Sequence, residues 1–254
     1  MILARLARTL REHDWFTAFL ELVLLIVGIF AGFQLDRWND GRLDQQRADE
    51  YREQLITDLS VEQNDVKLLI AYHEQVRDFA LTALAAWNDS PPADTEELIV
   101  ALYQASNVNS ITSVRGAYDA LSNNGLLDRV GGPALTSRLS AYYGLDMSSL
   151  FSEVKRYRME LRGVMPIAVQ TQIISECIQP SLSDGRIMEE LSVDCDIELD
   201  AAKAEQILAD IVEHPEMRAY LRQGISRDSV TIYLLNLKQE FIESLIAELR
   251  LLGD

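Results

Sequence analysis

Histidine, cysteine, proline and glycine are all scarce: 254 residues hold three, two, six and twelve of them. The three histidines, His13, His73 and His214, fall at neither H-x-x-x-H nor H-E-x-x-H spacing, which removes the usual helical zinc sites. The two cysteines, Cys177 and Cys195, stand 18 apart, so there is no C-x-x-C redox or zinc pair. No G-x-S-x-G, Walker-type or G-x-G-x-x-G sequence occurs, so no nucleophile elbow or phosphate loop can be assigned. The sequence therefore offers no catalytic, cofactor-binding or metal-ligating residues, and the expectation is a non-enzymatic protein without a cofactor. So few prolines and glycines also argue against an all-β chain with many tight turns. Positive charge is short as well. Lys and Arg number 23 against 40 Asp and Glu, a net charge of −17, which repels phosphate backbones and excludes nucleic acid as a partner.

What the chain does hold is 48% hydrophobic and 25% charged residues, the balance of a folded chain. The charge is uneven. The first 35 residues carry Arg5, Arg8 and Arg11 against Glu12, Asp14 and Glu21, so the whole excess of acid lies beyond Leu35. Trp15 to Leu35 is a 21-residue, largely apolar stretch with one charge, Glu21. As a helix it spans roughly 31 Å, about one hydrocarbon core. Trp15 and Trp38 bracket it where interfacial aromatics sit. The run is longer than the apolar core of a signal peptide and lacks an A-x-A exit. It reads as an uncleaved transmembrane helix over 15–38, after a short segment 1–14.

Within the span, Gly28 and Gly32 form a G-x-x-x-G that lets two helices approach closely. Glu21 and Gln34 are candidates for an intramembrane polar contact, since an ionisable group at that depth must snorkel, pair or stay protonated. Arginines flank both ends and do not set the orientation. Cys177 and Cys195 read either as a disulfide, which needs an oxidising compartment, or as two buried thiols. The disulfide reading and the acidity of the domain beside an anionic inner leaflet both favour an N-terminus in the cytoplasm and a domain outside.

Residues 39–254 read as helical. From Leu55 an apolar seam runs through Leu59, Val66, Leu69, Val76, Ala80 and Trp87 at spacings of three, four or seven, the mark of a long amphipathic helix over about 43–87, read as a stalk. His73 and Glu62 fall inside this seam. The histidine is expected as a core residue with one hydrogen bond, the glutamate as either uncovered or paired with another helix. Asn88 to Pro92 ends the helix, and a bundle follows over about 94–254. Asp94-Thr95-Glu96-Glu97 looks like a capping box for a helix through Ala105. Further helices are expected over Ser113–Ser122, from Pro133 through Tyr143, over Leu150–Val164 and from Asp200 to Glu213. A final helix has a seam of Val230, Leu234, Leu237, Phe241, Leu245, Leu249 and Leu252 and packs against the first long helix. About 175–200, acidic and cysteine-bearing, reads as an irregular solvated loop, since the EF-hand order is absent.

The stretch Ile26-Val27-Gly28-Ile29-Phe30-Ala31-Gly32-Phe33-Gln34-Leu35-Asp36-Arg37-Trp38-Asn39 resembles the membrane motif of a family of uncharacterised bacterial single-pass proteins, a domain of unknown function. That motif is an acidic residue, an apolar run, I-G-I, then Q-[IVL]-x-x-W-N. Glu21, Gly28, Gln34, Trp38 and Asn39 match it. Ala117-Tyr118-Asp119-Ala120-Leu121-Ser122-Asn123-Asn124-Gly125, followed by Leu135, Leu139 and Tyr142-Tyr143, is similar to a second family stretch. The resemblance covers about 15–145. Val27, Gly32 and the cysteine-containing loop depart from the pattern. It implies a single-pass anchored helical domain and no activity.

The expected fold is thus all-α: one transmembrane helix running into a stalk helix, then an antiparallel bundle. The expected function is contact, by self-association or as a scaffold or accessory subunit of a membrane complex. The expected partners are the lipid bilayer and a second copy or another membrane protein, and the expected place is the bacterial inner membrane. Two alternatives stay open. One is an envelope ligand-binding domain signalling through a partner; the other is a channel or transporter subunit built around Glu21 and Gln34.

Overall fold

The computed structural model describes residues 15–87, 94–110, 112–145, 155–183, 186–192 and 195–253. Segment 1–14, the breaker at Asn88–Pro92, Asp194 and the start of the helix expected from Leu150 lie outside the described residues. Among these the architecture is all-α, with eight helices and one small hairpin. The helices are α1 (Trp15–Ala86), α2 (Thr95–Gln104), α3 (Gly116–Asn123), α4 (Leu127–Gly144), α5 (Arg156–Val164), α6 (Ile167–Cys177), α7 (Ala201–Glu213) and α8 (Met217–Leu251). Strands β1 (Ile178–Ser183) and β2 (Arg186–Leu191) pair antiparallel between α6 and α7.

Helix α1 runs unbroken for 72 residues, roughly 108 Å. Gly41 does not interrupt it. Its first third is apolar and exposed, from Trp15 to Trp38, and is long and apolar enough to cross a membrane. The stretch read as a stalk is also the central core helix of the bundle. Leu55, Leu59, Val66, Leu69, Val76 and Ala80 are all buried, each large aliphatic side chain contributing about 1.5–3 kcal/mol by leaving water. The bundle begins within a turn of the apolar stretch. Arg129 Nη1 of α4 donates to the Gly41 carbonyl at 3.3 Å, and Gln45 Nε2 donates to the Arg129 carbonyl at 3.3 Å.

Helix α8 lies antiparallel along α1 and starts at Met217. Its buried stripe is not the expected one. Leu245 and Leu249 are buried, but Val230, Leu237 and Leu252 are exposed, and the stripe runs through Leu221, Asp228, Leu235, Ile242 and Leu249. Two core positions of α8 are polar, so a seam drawn through apolar residues alone slides onto the neighbouring face.

The short helices are set by their caps. Asp94 caps α2 by accepting from the amides of Glu96 and Glu97, at 2.9 and 3.3 Å. Asp200 does the same for α7, accepting from Ala202 N at 3.1 Å. α3 begins three residues later than Ser113. Its cap comes from another helix: Asp58 of α1 accepts from Ala117 N at 3.0 Å, which supplies the negative group a helix start favours. Inside α4, Gly131 and Gly132 are non-helical and Gly132 has φ +77°, a left-handed value suited to glycine. A Cβ at Gly131 would lie 2.6 Å from both Leu135 and Leu252, so the close packing of the chain's C-terminal end needs glycine there.

The segment 175–200 is irregular only in part: 178–183 pairs with 186–191, while 195–200 carry no regular structure. Ile178 pairs with Leu191 and Ser183 with Arg186. Two six-residue runs about the dipeptide Asp184-Gly185 carry a short-hairpin signal that the acidic composition hides. Ser192 N donates to the Cys177 carbonyl at 2.8 Å. The hairpin rests on α1, where Leu191 packs with Tyr72 and Val76.

Candidate functional site

The heptads of α1 and α8 carry two charged layers into a largely apolar seam, which also buries Asp65 and Thr231. In the first, Lys155 Nζ, just before α5, donates to both carboxylate oxygens of Asp228 on α8, at 2.8 and 2.7 Å. His73 Nδ1 of α1 lies 3.1 Å from Asp228 Oδ1. All three side chains are buried. Burial pushes the Lys155 ammonium below its usual range, and the Asp228 carboxylate pulls against that shift. Lys155 Nζ also donates to the Asn107 carbonyl at 3.2 Å.

From there the network continues inward. Asn107 Nδ2 donates to Gln104 Oε1 at 2.6 Å, and Gln104 Nε2 donates to the Cys177 carbonyl at 3.1 Å. Arg162 joins from α5, donating to Asn107 Oδ1 at 2.6 Å and to Ser106 Oγ at 3.0 Å. Its guanidinium lies over the Tyr103 ring, 4.3 Å from the centroid, a cation–π contact. One chain of hydrogen bonds thus joins α1, α8, α5, α2 and α6.

In the second layer, Lys238 Nζ of α8 sits 2.7 Å from Glu62 Oε1 of α1 and donates to Ser113 Oγ at 3.0 Å. Burial and the neighbouring Glu62 carboxylate both push the Tyr142 phenol well above its ordinary range. Beside it Tyr143 stacks on Tyr118, with centroids 4.2 Å apart, and Arg115 Nη1 donates to the Tyr143 carbonyl at 2.6 Å.

The sequence-predicted site residues lie in two separate places. Gly28 and Gly32 present open backbone on the exposed part of α1, with nothing within 4 Å of an added Cβ. Glu21, Gln34, Trp15 and Trp38 are exposed on the same stretch. Cys177 and Cys195 are joined by a disulfide that closes the base of the β1–β2 hairpin, with Cys177 buried and Cys195 half-buried. His73 takes a core position with a carboxylate partner, and Glu62 is paired with a neighbouring helix. Sequence reasoning misses Lys155 and Asp228. Asp228 carries a findable signal, since it stands seven residues from both Leu221 and Leu235. Lys155 carries none, because it precedes a helix and is buried only by tertiary contacts.

A cleft of about 500 Å³ opens between α5 and α8. Its walls include Lys155, Arg156, Met159, Tyr220, Gly224 and Arg227. Among the described residues, no group of three His, Cys, Asp or Glu side chains is arranged to hold a metal ion.

The fold and these sites define a class: a helical bundle whose core helix extends into an apolar segment of membrane-spanning length. No family model, curated protein or solved structure matches the chain.

Proposed function

We propose that the chain is a membrane-anchored, non-enzymatic helical protein that acts by contact, through self-association or as an accessory subunit of a membrane complex. One observation carries this reading: the exposed apolar segment and the core of the bundle are a single helix, α1. Whatever the bundle binds is therefore tied mechanically to the anchor, without a flexible joint. The resemblance of residues 15–39 to a bacterial single-pass family supports the same reading.

The proposed arrangement is an N-terminus in the cytoplasm and a bundle on the outer side of a bacterial inner membrane. Its supports are the disulfide, which persists in oxidising compartments, and the strongly acidic domain, which is disfavoured at an anionic cytoplasmic leaflet. Two copies would meet along Gly28 and Gly32, with Glu21 and Gln34 available for polar contacts near the seam. The test is the mass of the purified protein in mild detergent, before and after Gly28→Leu with Gly32→Leu. The expected result is an oligomer that falls to the monomer mass in the variant. An unchanged mass removes the glycine interface.

A further inference from the structure

Helix α1 is covered on one side. Leu55, Leu59 and Val66 face the bundle and are buried, and a second repeat runs along the opposite side. Thr57, Val61, Asn64, Leu68, Ala71 and Gln75 follow one another at alternating steps of four and three, the spacing of a two-helix seam. Val61 is half-buried and the other five are exposed. The stripe rises roughly 27 Å along the helix.

None of the six is charged, in a chain where a quarter of the residues are. The charges of this stretch stand around the stripe. Asp58 caps α3, Glu62 meets Lys238 and Asp65 is buried. Lys67 and Glu74 flank the stripe, and Glu53 and Asp78 lie beyond its ends. Its polar members are Thr57, whose hydroxyl donates within the helix to the Glu53 carbonyl at 3.0 Å, and the amides of Asn64 and Gln75. A primary amide both donates and accepts, so it can pair with an identical amide. A carboxylate or an ammonium facing its own copy repels it. The stripe is thus complementary to itself.

The anchor decides how two such stripes meet. Copies held by the same apolar segment stand parallel and at one height, because α1 has no break between that segment and the bundle. Each position then faces its own counterpart. Asn64 follows Gly28, and Leu68 follows Gly32, by 36 residues, about ten whole turns. The stripe therefore lies on the same side of α1 as the glycines, and the bundle does not stand between two copies. From this uncharged, self-complementary repeat on the uncovered side, we infer that α1 carries a parallel, in-register docking surface for a second copy of this chain, centred on Asn64 and Leu68. The inference rests on the anchored, self-associating reading above and adds the face along which the copies meet outside the bilayer.

The test uses the full chain in membranes. Cys177 and Cys195 are bonded to each other, so one added cysteine supplies the reactive thiol. Ala71→Cys is expected to cross-link to a dimer with bismaleimidoethane. Ala247→Cys, at an exposed position of α8, on the helix packed against the other side of α1, is expected to stay monomeric. Leu68→Lys or Leu68→Glu sets like charges face to face and abolishes the Ala71 cross-link. Leu68 is exposed, so circular dichroism and melting of the bundle stay as in the parent. When the Lys and Glu variants, each with Ala71→Cys and a different tag, are expressed together, the cross-link returns between unlike copies. Equal cross-linking at Ala247, a cross-link that survives Leu68→Lys, or no return in the mixture overturns the surface. A cross-link from Ala71 to a different protein overturns the second copy as its occupant. An Ala71→Cys chain that stays uncross-linked yet is an oligomer in mild detergent overturns the surface and leaves self-association standing; a chain that is monomeric throughout overturns both.

Discussion

Asp228 and Glu62 are nearly inaccessible carboxylates in a seam of leucine and valine, and each meets a lysine within 2.8 Å. Desolvating such a pair costs several kcal/mol per ion, and the mutual attraction only offsets it. Their value therefore lies more in which arrangement they permit than in net stability. The buried tyrosines make a cleaner energetic case. Burial pushes the phenols of Tyr72, Tyr142, Tyr143 and Tyr157 above their ordinary range, and Glu189 and Glu62 reinforce the shift at Tyr72 and Tyr142. Tyr157 also donates to the Leu102 carbonyl at 3.0 Å. Above about pH 10 the unfolded chain releases phenolic protons that the folded chain retains. The stability these groups contribute is present in full below pH 10 and is lost as pH rises beyond it. The bundle is accordingly expected to lose stability steeply on the alkaline side. Absorbance at 295 nm during an alkaline titration checks this. The buried tyrosines should ionise in one cooperative step that coincides with loss of helical circular dichroism. Smooth ionisation of all nine tyrosines near pH 10, with the helices intact, would show that these phenols are not sequestered.

Two helices with apolar heptads can pair in several registers, and the polar layers select one. In an antiparallel pair the position numbers of facing residues add to a constant. His73 with Asp228 and Glu62 with Lys238 satisfy this to within one residue. Sliding α8 by one heptad would set Glu62 against Thr231 or Leu245 and Lys238 against Leu55 or Leu69, leaving buried charges unpaired. A polar residue at a core heptad position fixes register in this way in coiled coils. Glu62→Lys alone puts two cations together and is expected to cost about 3–5 kcal/mol. Adding Lys238→Glu restores the pair in reverse and should recover more than half of that loss. Urea unfolding of the four members of the cycle measures the coupling; additive losses would mean that the layer does not hold the register. The α1 seam is legible in the sequence because all but three of its buried positions, Glu62, Asp65 and His73, are apolar or aromatic. The α8 seam is not, because Asp228 and Lys238 stand on it and exposed Val230 and Leu237 stand beside it. Caps at Asp94 and Asp200 are local and can be read directly. The α3 cap is not, since Asp58 reaches it from more than fifty positions away in the chain.

The whole molecule divides by charge and by solvent along one helix. All of the net −17 lies beyond Leu35, while Trp15 to Leu35 carries one charge, Glu21, and its large hydrophobic side chains are exposed. Arg129 and Gln45 bind the base of the bundle to α1 within two turns of Trp38. If the apolar segment spans a bilayer, the acidic bundle therefore sits directly on the surface and cannot swing away from it. The proposed side rests on the hairpin and is open to a direct test. Cys177 is buried and Cys195 is half-buried, so the bonded pair presents no thiol to solvent until reduced, and Cys195 is the first sulfur a reagent can reach. In cells whose inner membrane is intact, a membrane-impermeant maleimide should leave both cysteines unmodified before reduction. After an impermeant reductant it should label them, Cys195 faster than Cys177. That pattern places the bundle in the oxidising space outside the inner membrane, where binding partners would be found. Labelling that needs opened cells but no reductant would put free thiols in the cytoplasm. It would reverse the proposed orientation and remove the oxidising compartment as the reason the hairpin is stapled at its base.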